Sequence, residues 1–272
     1  IQRLRSDNSG INWLKTQPDN LYLEKTRKAR MSRKSRKTRK SRKTRKARRS
    51  RRSRRTRKSS PLKEKKQQKK HNMKTYLVTG AAGFIGANYI KYLLHRKYKN
   101  EEIKVIVLDL LTYAGNLGTI KDDIDNDRCI FVRGDIRDRE LADRLFTEYD
   151  IDYVVNFAAE SHVDRSIENP QLFLETNILG TQNLLDAARR AWVTGKDASG
   201  YPTWKTGKRY HQVSTDEVYG SLGKDGFFTE KTPLCPHSPY SASKTSADMI
   251  VMAYHDTYHM PTSITRCSNN YG

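Results

Sequence analysis

Two short segments of the sequence carry side chains that could move protons. Tyr240 and Lys244 lie four positions apart in the run Tyr-Ser-Ala-Ser-Lys, so on a helix they share one face. An ammonium group beside a phenol favours the phenolate and lowers the tyrosine pKa from about 10 toward neutral pH. Tyr240 could then remove a proton from a hydroxyl group. The alternative is an ordinary surface helix, on which a Tyr-x-x-x-Lys pair is common.

The second segment is the run Ser-Thr-Asp-Glu-Val-Tyr-Gly over residues 214–220, which places Asp216 beside Glu217. A pair of carboxyl groups, one protonated and one ionised, can eliminate water across a C–C bond. Glu217 would remove the carbon-bound proton and Asp216 would protonate the leaving hydroxyl. The alternative is a solvated acidic turn.

Three glycines stand where a predicted strand passes into a predicted helix. Lys74–Val78 is apolar enough for a buried strand, and Ala87–Leu94 has helical spacing. Gly80 permits a tight turn, Gly83 lets a phosphate approach the backbone, and Gly86 lets the helix lie close to the sheet. The helix N-terminus would offer N–H groups to a pyrophosphate. The context favours a dinucleotide site over a plain glycine-rich turn.

A second predicted strand, Glu102–Asp109, ends in an acid 23 positions after Gly86. A carboxylate at this strand end can accept hydrogen bonds from the adenosine ribose hydroxyls, and it would repel a 2′-phosphate. Asp109 therefore favours NAD over NADP, the alternative being a surface aspartate. Lys244 would then also hold the nicotinamide ribose. Asp135, after the third predicted strand, would lie over the adenine edge.

Strand and helix patterns alternate through residues 73–272, which predicts an α/β fold with a doubly wound parallel sheet. Ligands of such sheets bind beyond the carboxyl ends of the strands, where every segment named above falls. The further predicted strands are Arg128–Gly134, Asp152–Ala158, Tyr210–Ser214 and a sixth that begins at Thr262–Thr265. The further predicted helices are Arg139–Tyr149, Asn169–Trp192 and Ser238–Tyr258, and Val193–Lys208 is predicted to be an exposed loop.

Charge divides the 272-residue chain, whose net charge is +23, into two unlike parts. Residues 1–72 hold 30 Lys and Arg against 4 Asp and Glu, whereas residues 73–272 hold 23 against 26. The first part cannot bury a core, so we expect a disordered basic N-terminal extension. It could bind nucleic acid without sequence preference, or have no role, or be repetitive DNA read through by a gene caller. We favour the last, because the chain begins at Ile1 and Met73 precedes the first strand.

Other site classes find little support in the sequence. The three cysteines are far apart and form no C-x-x-C pair, which argues against disulfides and zinc and is typical of a reducing cytoplasm. His255 and His259 share a helix face, but with no third ligand evident we expect surface side chains and no metal site. We expect no membrane span, because no run of 18 apolar residues occurs, and no signal peptide.

Seven motifs in residues 73–272 together resemble the dTDP-glucose 4,6-dehydratases, a family of extended short-chain dehydrogenase/reductases. They are T-G-A-A-G-F-I-G (79–86), L-T-Y-A-G-N (111–116), G-D-I (134–136), A-A-E-S-H-V-D-R-S (158–166), S-T-D-E-V-Y-G (214–220), S-P-Y-S-A-S-K (238–244) and C-S-N-N-Y-G (267–272). The T-D-E triplet distinguishes this family from the related UDP-galactose 4-epimerases, which lose no water and carry no acid pair there.

The resemblance implies a Rossmann-type domain and a lyase that uses NAD as a catalyst, in deoxysugar biosynthesis. Tyr240 would take the proton from the sugar O4 while the C4 hydride passes to NAD, and Thr215 would bind near O4. Glu217 would then remove the C5 proton, and Asp216 would protonate the departing C6 hydroxyl. Return of the hydride to C6 would give dTDP-4-keto-6-deoxyglucose.

The resemblance also implies ligand contacts. The NAD contacts would be Gly80, Gly83, Phe84, Ile85, Gly86, Asp109, Leu110, Leu111, Thr112, Asp135, Ile136, Ala158, Ala159, Glu160, Ser161, Asn177, Tyr240, Lys244 and Asn270. His162, Thr215 and Asn269 would contact the substrate.

Family members are expected to be homodimers that pair long helices, for which Asn169–Trp192 and Ser238–Tyr258 are the candidates. The resemblance further implies that a C-terminal substrate domain is absent from this chain, so we expect residues 73–272 alone to bind NAD weakly and turn over poorly. Because the residues that read the base lie in that domain, CDP- or UDP-glucose stay open as substrates. A nucleic-acid-binding protein that acts through residues 1–72 is the non-enzymatic alternative.

Overall fold

A six-stranded parallel sheet is the centre of the protein, as the alternation of patterns predicts. The computed structural model describes residues 73–98, 102–124 and 126–271. The eight strands of this part are β1 (Lys74–Thr79), β2 (Ile103–Asp109), β3 (Cys129–Arg133), β4 (Tyr153–Asn156), β5 (Val193–Lys196), β6 (Pro202–Trp204), β7 (Arg209–Thr215) and β8 (Thr262–Cys267).

The sheet has the order β3-β2-β1-β4-β7-β8, and every neighbouring pair is parallel. The chain winds outward from β1 in one direction through β2 and β3, then returns to place β4 on the other side of β1. This reversal is the topological switch point of a Rossmann-type sheet, beyond which a crevice opens at the carboxyl ends. The predicted doubly wound fold is therefore confirmed.

Helices cover both faces of the sheet. The α-helices are α1 (Phe84–Lys91), α2 (Arg139–Glu148), α3 (Val163–Glu168), α4 (Pro170–Phe173), α5 (Thr181–Trp192) and α6 (Pro239–Tyr258). The shorter helical turns are two 3₁₀ helices, Leu117–Ile120 and Asp216–Tyr219, and two π-helical segments, Tyr92–Lys97 and Leu174–Gly180.

Alternate side chains of each strand enter two separate hydrophobic clusters. On β1, Leu77 packs in the cluster that α2, α5 and α6 share, while Tyr76 and Val78 pack in the cluster that contains α1. Successive side chains of a strand point to opposite faces, so both faces of this sheet are buried. This explains why the strand sequences are nearly continuous apolar runs rather than alternating ones.

The predicted exposed loop at Val193–Lys208 is wrong in part. Residues of β5 and β6 pair there as a small antiparallel ribbon with a register shift near Gly195. The hydroxyls of Thr194 and Thr203 share a hydrogen bond of 2.8 Å, and Trp204 Nε1 donates to the carbonyl oxygen of Tyr258 at 3.2 Å. The sequence predicts a loop because the segment is rich in Gly, Pro and Lys. Its structure instead depends on the pairing of β5 with β6 and on the contact of Trp204 with α6.

The long helical stretch predicted over 169–192 is present but is not a uniform α-helix. It begins at Asn169, whose side chain accepts from the backbone N–H of Leu172, and Pro170 follows at the first helical position. The segment Leu174–Gly180 then widens into π-helical turns before α5 continues. Such wide turns occur frequently at functional sites.

The remaining expectations concern the basic extension, the cysteines, membrane spans and metal sites. The basic extension over residues 1–72 lies outside the described residues. All three cysteines are described and are free thiols. Among the described residues, no helix is long and apolar enough to cross a membrane, and no group of three or more His, Cys, Asp or Glu side chains could hold a metal ion.

Candidate active site

A cavity of about 740 Å³ lies at the carboxyl ends of the sheet strands. It collects residues from the loops after β1, β2, β3, β4, β7 and β8 and from the first turns of α6. Two regions predicted separately, the glycine turn near residue 80 and the proton-transfer groups near residue 240, thus line one cavity. The predicted residues that line it are Gly80, Gly83, Phe84, Ile85, Gly86, Asp109, Leu110, Thr112, Asp135, Ile136, Ala158, Ala159, Glu160, Ser161, Thr215, Glu217, Tyr240, Lys244, Asn269 and Asn270.

The glycine turn is packed so tightly that two of its three glycines admit no side chain. Gly80 has φ +63°, and a Cβ there would lie 2.6 Å from the backbone nitrogen of Ala158. A Cβ on Gly86 would overlap the carbonyl oxygen of Gly80. At Gly83, by contrast, a Cβ would meet only the Gly80 carbonyl oxygen, at 3.3 Å. The open side of the turn is therefore at Gly83, where the helix α1 begins.

Asp109 holds the glycine turn in place from the end of β2. Its carboxylate is buried, and it accepts from the backbone N–H of Ala82 at 2.9 Å and from that of Leu111 at 2.8 Å. Leu111 adopts φ +58°, a conformation that few non-glycine residues adopt. Each carboxylate oxygen can accept more than one hydrogen bond, so this arrangement leaves capacity for a ribose hydroxyl in the cavity.

The start of α6 is fixed by side chains, and this fixes Tyr240. Ser238 and Ser241 form a capping box, and Pro239 occupies the first helical position. The backbone N–H of Tyr240 donates to Ser166 Oγ at 3.1 Å, which ties α6 to α3. The tyrosine ring also packs edge-to-face against Phe173, with ring centroids 6.4 Å apart.

The expected lowering of the Tyr240 pKa is wrong for the described structure. Burial and the negative charge of Glu217 raise the pKa of Tyr240 to about 12, and a hydrogen bond with Thr215 opposes them. Lys244 is not among the groups that lower the Tyr240 pKa, and its Nζ donates to the carbonyl oxygen of Val213 at 2.8 Å. Burial also lowers the pKa of Lys244, against the opposing charge of Asp248. A shared helix face was insufficient to pair the two groups.

The acidic segment forms a 3₁₀ turn directly after β7. Thr215 caps this turn, since its Oγ1 accepts from the backbone N–H of Glu217 at 3.2 Å and donates to Asp216 Oδ1 at 3.3 Å. Burial, followed by the charge of Asp216, raises the pKa of Glu217. Glu217 lines the cavity whereas Asp216 does not. The turn therefore presents one carboxyl group, with an elevated pKa, to the cavity.

Four predicted site residues do not line the cavity: Leu111, His162, Asn177 and Asp216. His162 is exposed at the start of α3. Asn177 is buried. Its Oδ1 accepts from the backbone N–H of Glu160, and its Nδ2 donates to the carbonyl oxygen of Glu160 and, at 2.8 Å, to the Ser243 hydroxyl. In the described structure Asn177 thus holds the loop after β4 against α6 instead of facing the cavity.

Sequence reasoning assigned no role to several residues that line the cavity. The guanidinium of Arg165 lies 3.9 Å from the ring centroid of Tyr113, a cation–π contact between α3 and the loop after β2. Cys267 and Ser268 also line the cavity. All four lie inside the motifs quoted above, so the signal was present, but spacing alone could not show which members of a motif face inward.

Comparison with known proteins agrees with this geometry. The family model described as GDP-mannose 4,6 dehydratase matches residues 77–272, which include the glycine turn, the acidic turn and α6. The chain belongs to this family.

The chain is 52% identical over 200 residues to the dTDP-glucose 4,6-dehydratase of Xanthomonas campestris pv. campestris strain B100. This match covers 74% of this chain and 54% of that protein. Its structure resembles DesIV, a dTDP-glucose 4,6-dehydratase from Streptomyces venezuelae with NAD and dTDP bound, at 47% identity and a TM-score of 0.64, over 73% of this chain and 56% of that one.

It also resembles the dTDP-glucose 4,6-dehydratase of Bacillus anthracis in complex with NAD, at 46% identity and a TM-score of 0.61, over 73% of this chain and 56% of that chain. The chain thus spans about half the length of the relatives it matches.

Proposed function

We propose that this protein is an NAD-dependent lyase that dehydrates dTDP-glucose to dTDP-4-keto-6-deoxyglucose. One observation carries the proposal: Glu217, on the acidic turn after β7, lines the same cavity as Tyr240, Lys244 and the glycine turn. A plain oxidoreductase needs no carboxyl group with a raised pKa at that place. The similarity to dTDP-glucose 4,6-dehydratases at 46–52% identity supports the same substrate class.

The cavity fits NAD. The open side of the glycine turn at Gly83 gives a diphosphate access to backbone N–H groups at the start of α1. Asp109 lines the cavity at the end of β2, where a ribose would lie. Lys244 lines the same cavity from the first turns of α6. NAD, when bound, would accept the hydride from C4 of the sugar and return it to C6.

Tyr240 is the residue that we assign to the O4 proton. With a pKa of about 12, its phenol is protonated at neutral pH, so it needs a nearby cation to act as a base. Lys244, in the same cavity, is our candidate for that cation. The Thr215 hydroxyl lowers the tyrosine pKa, and in the proposed complex it would orient the phenol and the sugar hydroxyl together.

Glu217 is the residue that we assign to the C5 proton. Its pKa is raised by burial and by Asp216, which moves it toward the working pH of a general base. Asp216 would protonate the C6 hydroxyl as it leaves. That assignment rests on its place beside Glu217 and on its hydrogen bond with Thr215, since Asp216 does not itself line the cavity.

The remaining parts of the proposal concern organisation. Residues 73–272 would form the NAD-binding domain with the proton-transfer groups, and residues 1–72 would not take part in the reaction. A homodimer would pair the helices of residues 170–192 and 239–258, on which Leu179, Met249 and Met252 are exposed. Three free thiols are consistent with a cytoplasmic location.

The test is incubation of the protein with dTDP-glucose and NAD, followed by mass spectrometry. We expect slow formation of a product that has lost one water. CDP-, UDP- and GDP-linked sugars, tested in parallel, assign the base. Glu217→Gln should abolish the loss of water while NAD binding, measured by calorimetry, is unchanged. A Glu217→Gln protein that dehydrates at the wild-type rate would refute the assigned role.

A further inference from the structure

A buried ion pair lies behind the proton-transfer groups and takes no part in the proposed chemistry. Asp248 is completely buried, and its Oδ2 accepts from Arg266 Nε at 2.8 Å. Asp248 lies on α6 one turn beyond Lys244, and Arg266 lies on β8. A buried carboxylate without a partner is costly, so this pair must be kept together in the folded state.

The other end of the same guanidinium holds the acidic turn. Arg266 Nη1 donates to Tyr219 Oη at 2.8 Å, and the guanidinium lies 5.1 Å from the centroid of the Tyr219 ring. Tyr219 is the last residue of the turn Asp216–Tyr219, is buried, and stacks on Phe228 with centroids 5.0 Å apart. One side chain therefore joins the helix that carries Tyr240 to the turn that carries Glu217.

Ser214 is a further buried polar residue, and it lies in the cavity wall. Ser214 Oγ and Asp248 Oδ1 are buried and have no hydrogen-bond partner among the described residues. The Ser214 hydroxyl lowers the pKa of Asp248. Ser214 lines the cavity, and its carbonyl oxygen accepts from the thiol of Cys267 at 3.3 Å.

We propose that Asp248, Arg266 and Tyr219, here called the Arg266 clamp, set the separation between the phenol of Tyr240 and the carboxyl group of Glu217. The two groups belong to different elements, and Lys244 Nζ, bonded to the carbonyl oxygen of Val213, ties α6 to β7 but does not reach the acidic turn itself. The sugar must meet both in one binding orientation, and a misplacement of about 1 Å can cost up to about a hundredfold in rate. The clamp residues act through Tyr240 and Glu217 and are positioning residues.

The planar fork of arginine suits this task. It makes one bond to Asp248 and another to Tyr219 in a fixed geometry, which a lysine ammonium on a flexible stem does not reproduce. An apolar pair of similar volume would stabilise the fold equally well or better. The buried ionic group therefore points to a role in orientation and not in stability.

Tyr219→Phe in the full chain is the decisive variant, with Tyr254→Phe as its matched control. Each change deletes one hydroxyl bonded to a charged group, at 2.8 Å to Arg266 for Tyr219 and at 2.7 Å to Asp186 for Tyr254, and Tyr254 lies on α6 but does not line the cavity. We expect Tyr219→Phe to lower kcat for dTDP-glucose about tenfold while KM changes less than about twofold. Tyr254→Phe should leave both constants unchanged.

Hydrogen exchange supplies a readout that does not depend on turnover. In protein without substrate, Tyr219→Phe should speed exchange of the backbone amides over residues 215–220 by about tenfold, while Tyr254→Phe should not. Arg266→Lys should resemble Tyr219→Phe in both measurements, since it keeps the charge and loses the fork.

The kinetic prediction rests on the proposed function, and the exchange prediction does not. A wild-type protein that does not dehydrate dTDP-glucose would refute the proposed function, while the exchange rates would still decide whether the clamp holds the turn. Equal kinetic losses in Tyr219→Phe and Tyr254→Phe, or unchanged exchange in Tyr219→Phe, would overturn the clamp.

Discussion

At the scale of single residues, charges and burial decide what the proton-transfer groups can do. The same carboxylate that suits Glu217 for proton abstraction raises the pKa of Tyr240, so the two groups oppose each other as long as both face the cavity. A cation near the phenol is therefore a physical requirement of the proposed chemistry. Lys244 is our candidate for that cation, although its Nζ donates to the carbonyl oxygen of Val213 in the described structure.

Asp216→Asn should lower the pKa of Glu217. A neighbouring negative charge favours the protonated form and raises a carboxyl pKa, so removal of the Asp216 charge lowers the pKa of Glu217. The measurement is the pKa of Glu217 by carbon-13 NMR in protein without substrate. Asp225→Asn, in an exposed loop, is the control that should leave it unchanged. An unchanged Glu217 pKa in Asp216→Asn would contradict the coupling of the two carboxyl groups.

At the scale of elements, the loops after the parallel strands position the site, and neighbouring elements hold two of these loops in place. Asp109 of β2 holds the turn after β1, and Asn177 holds the loop after β4 against α6. Replacing a backbone contact in one loop should therefore disturb its neighbour. Gly80 offers the sharpest test, because its α-carbon lies against the start of the loop after β4.

Gly80→Ala should destabilise the protein more than Gly200→Ala and should also remove NAD binding. Both glycines have positive φ, +63° and +87°, so both alanines cost about 1–2 kcal/mol of backbone strain. Only at Gly80 does the added Cβ collide with backbone, that of Ala158 at 2.6 Å, whereas nothing lies within 4 Å at Gly200. Urea unfolding gives the free energies and calorimetry gives NAD affinity. Equal losses of stability in the two variants would show that the close packing at Gly80 is unimportant.

At the scale of the whole molecule, charge and chemistry lie in different parts of the sequence. Residues 1–72 carry the excess of positive charge, and the site residues all lie in the remainder, which is slightly acidic. The proposed chemistry assigns no step to the basic segment. We therefore expect the two parts to behave independently.

Removal of residues 1–72 should abolish nucleic-acid binding and leave NAD binding and dehydration unchanged. The 30 lysines and arginines of this segment can release many counterions from a polyanion, so any binding should weaken steeply with salt. Gel-shift measurements between low and physiological salt, with and without the segment, check this. A loss of dehydratase activity on removal would show that the segment belongs to the enzyme.

Local sequence was enough to predict the six strands of the parallel sheet, most helices and the glycine turn, because these depend on periodicity over a few residues. Three glycines between an apolar strand and a helical pattern indicate a tight turn, and Asp109 lies beside that turn because β2 neighbours β1 in this sheet. The same reasoning failed at β5 and β6, whose pairing depends on side chains across the ribbon and on α6.

The sequence by itself determined that a dinucleotide-type turn, a Tyr-x-x-x-Lys pair and an acid pair occur in one α/β chain. Only the tertiary structure decided that Tyr240 has a raised pKa, that Asn177 faces away from the cavity, and that Arg266 joins two elements behind it. The physical reason is distance along the chain. Burial and ion pairs depend on residues brought together from separate elements, and no local spacing encodes those contacts.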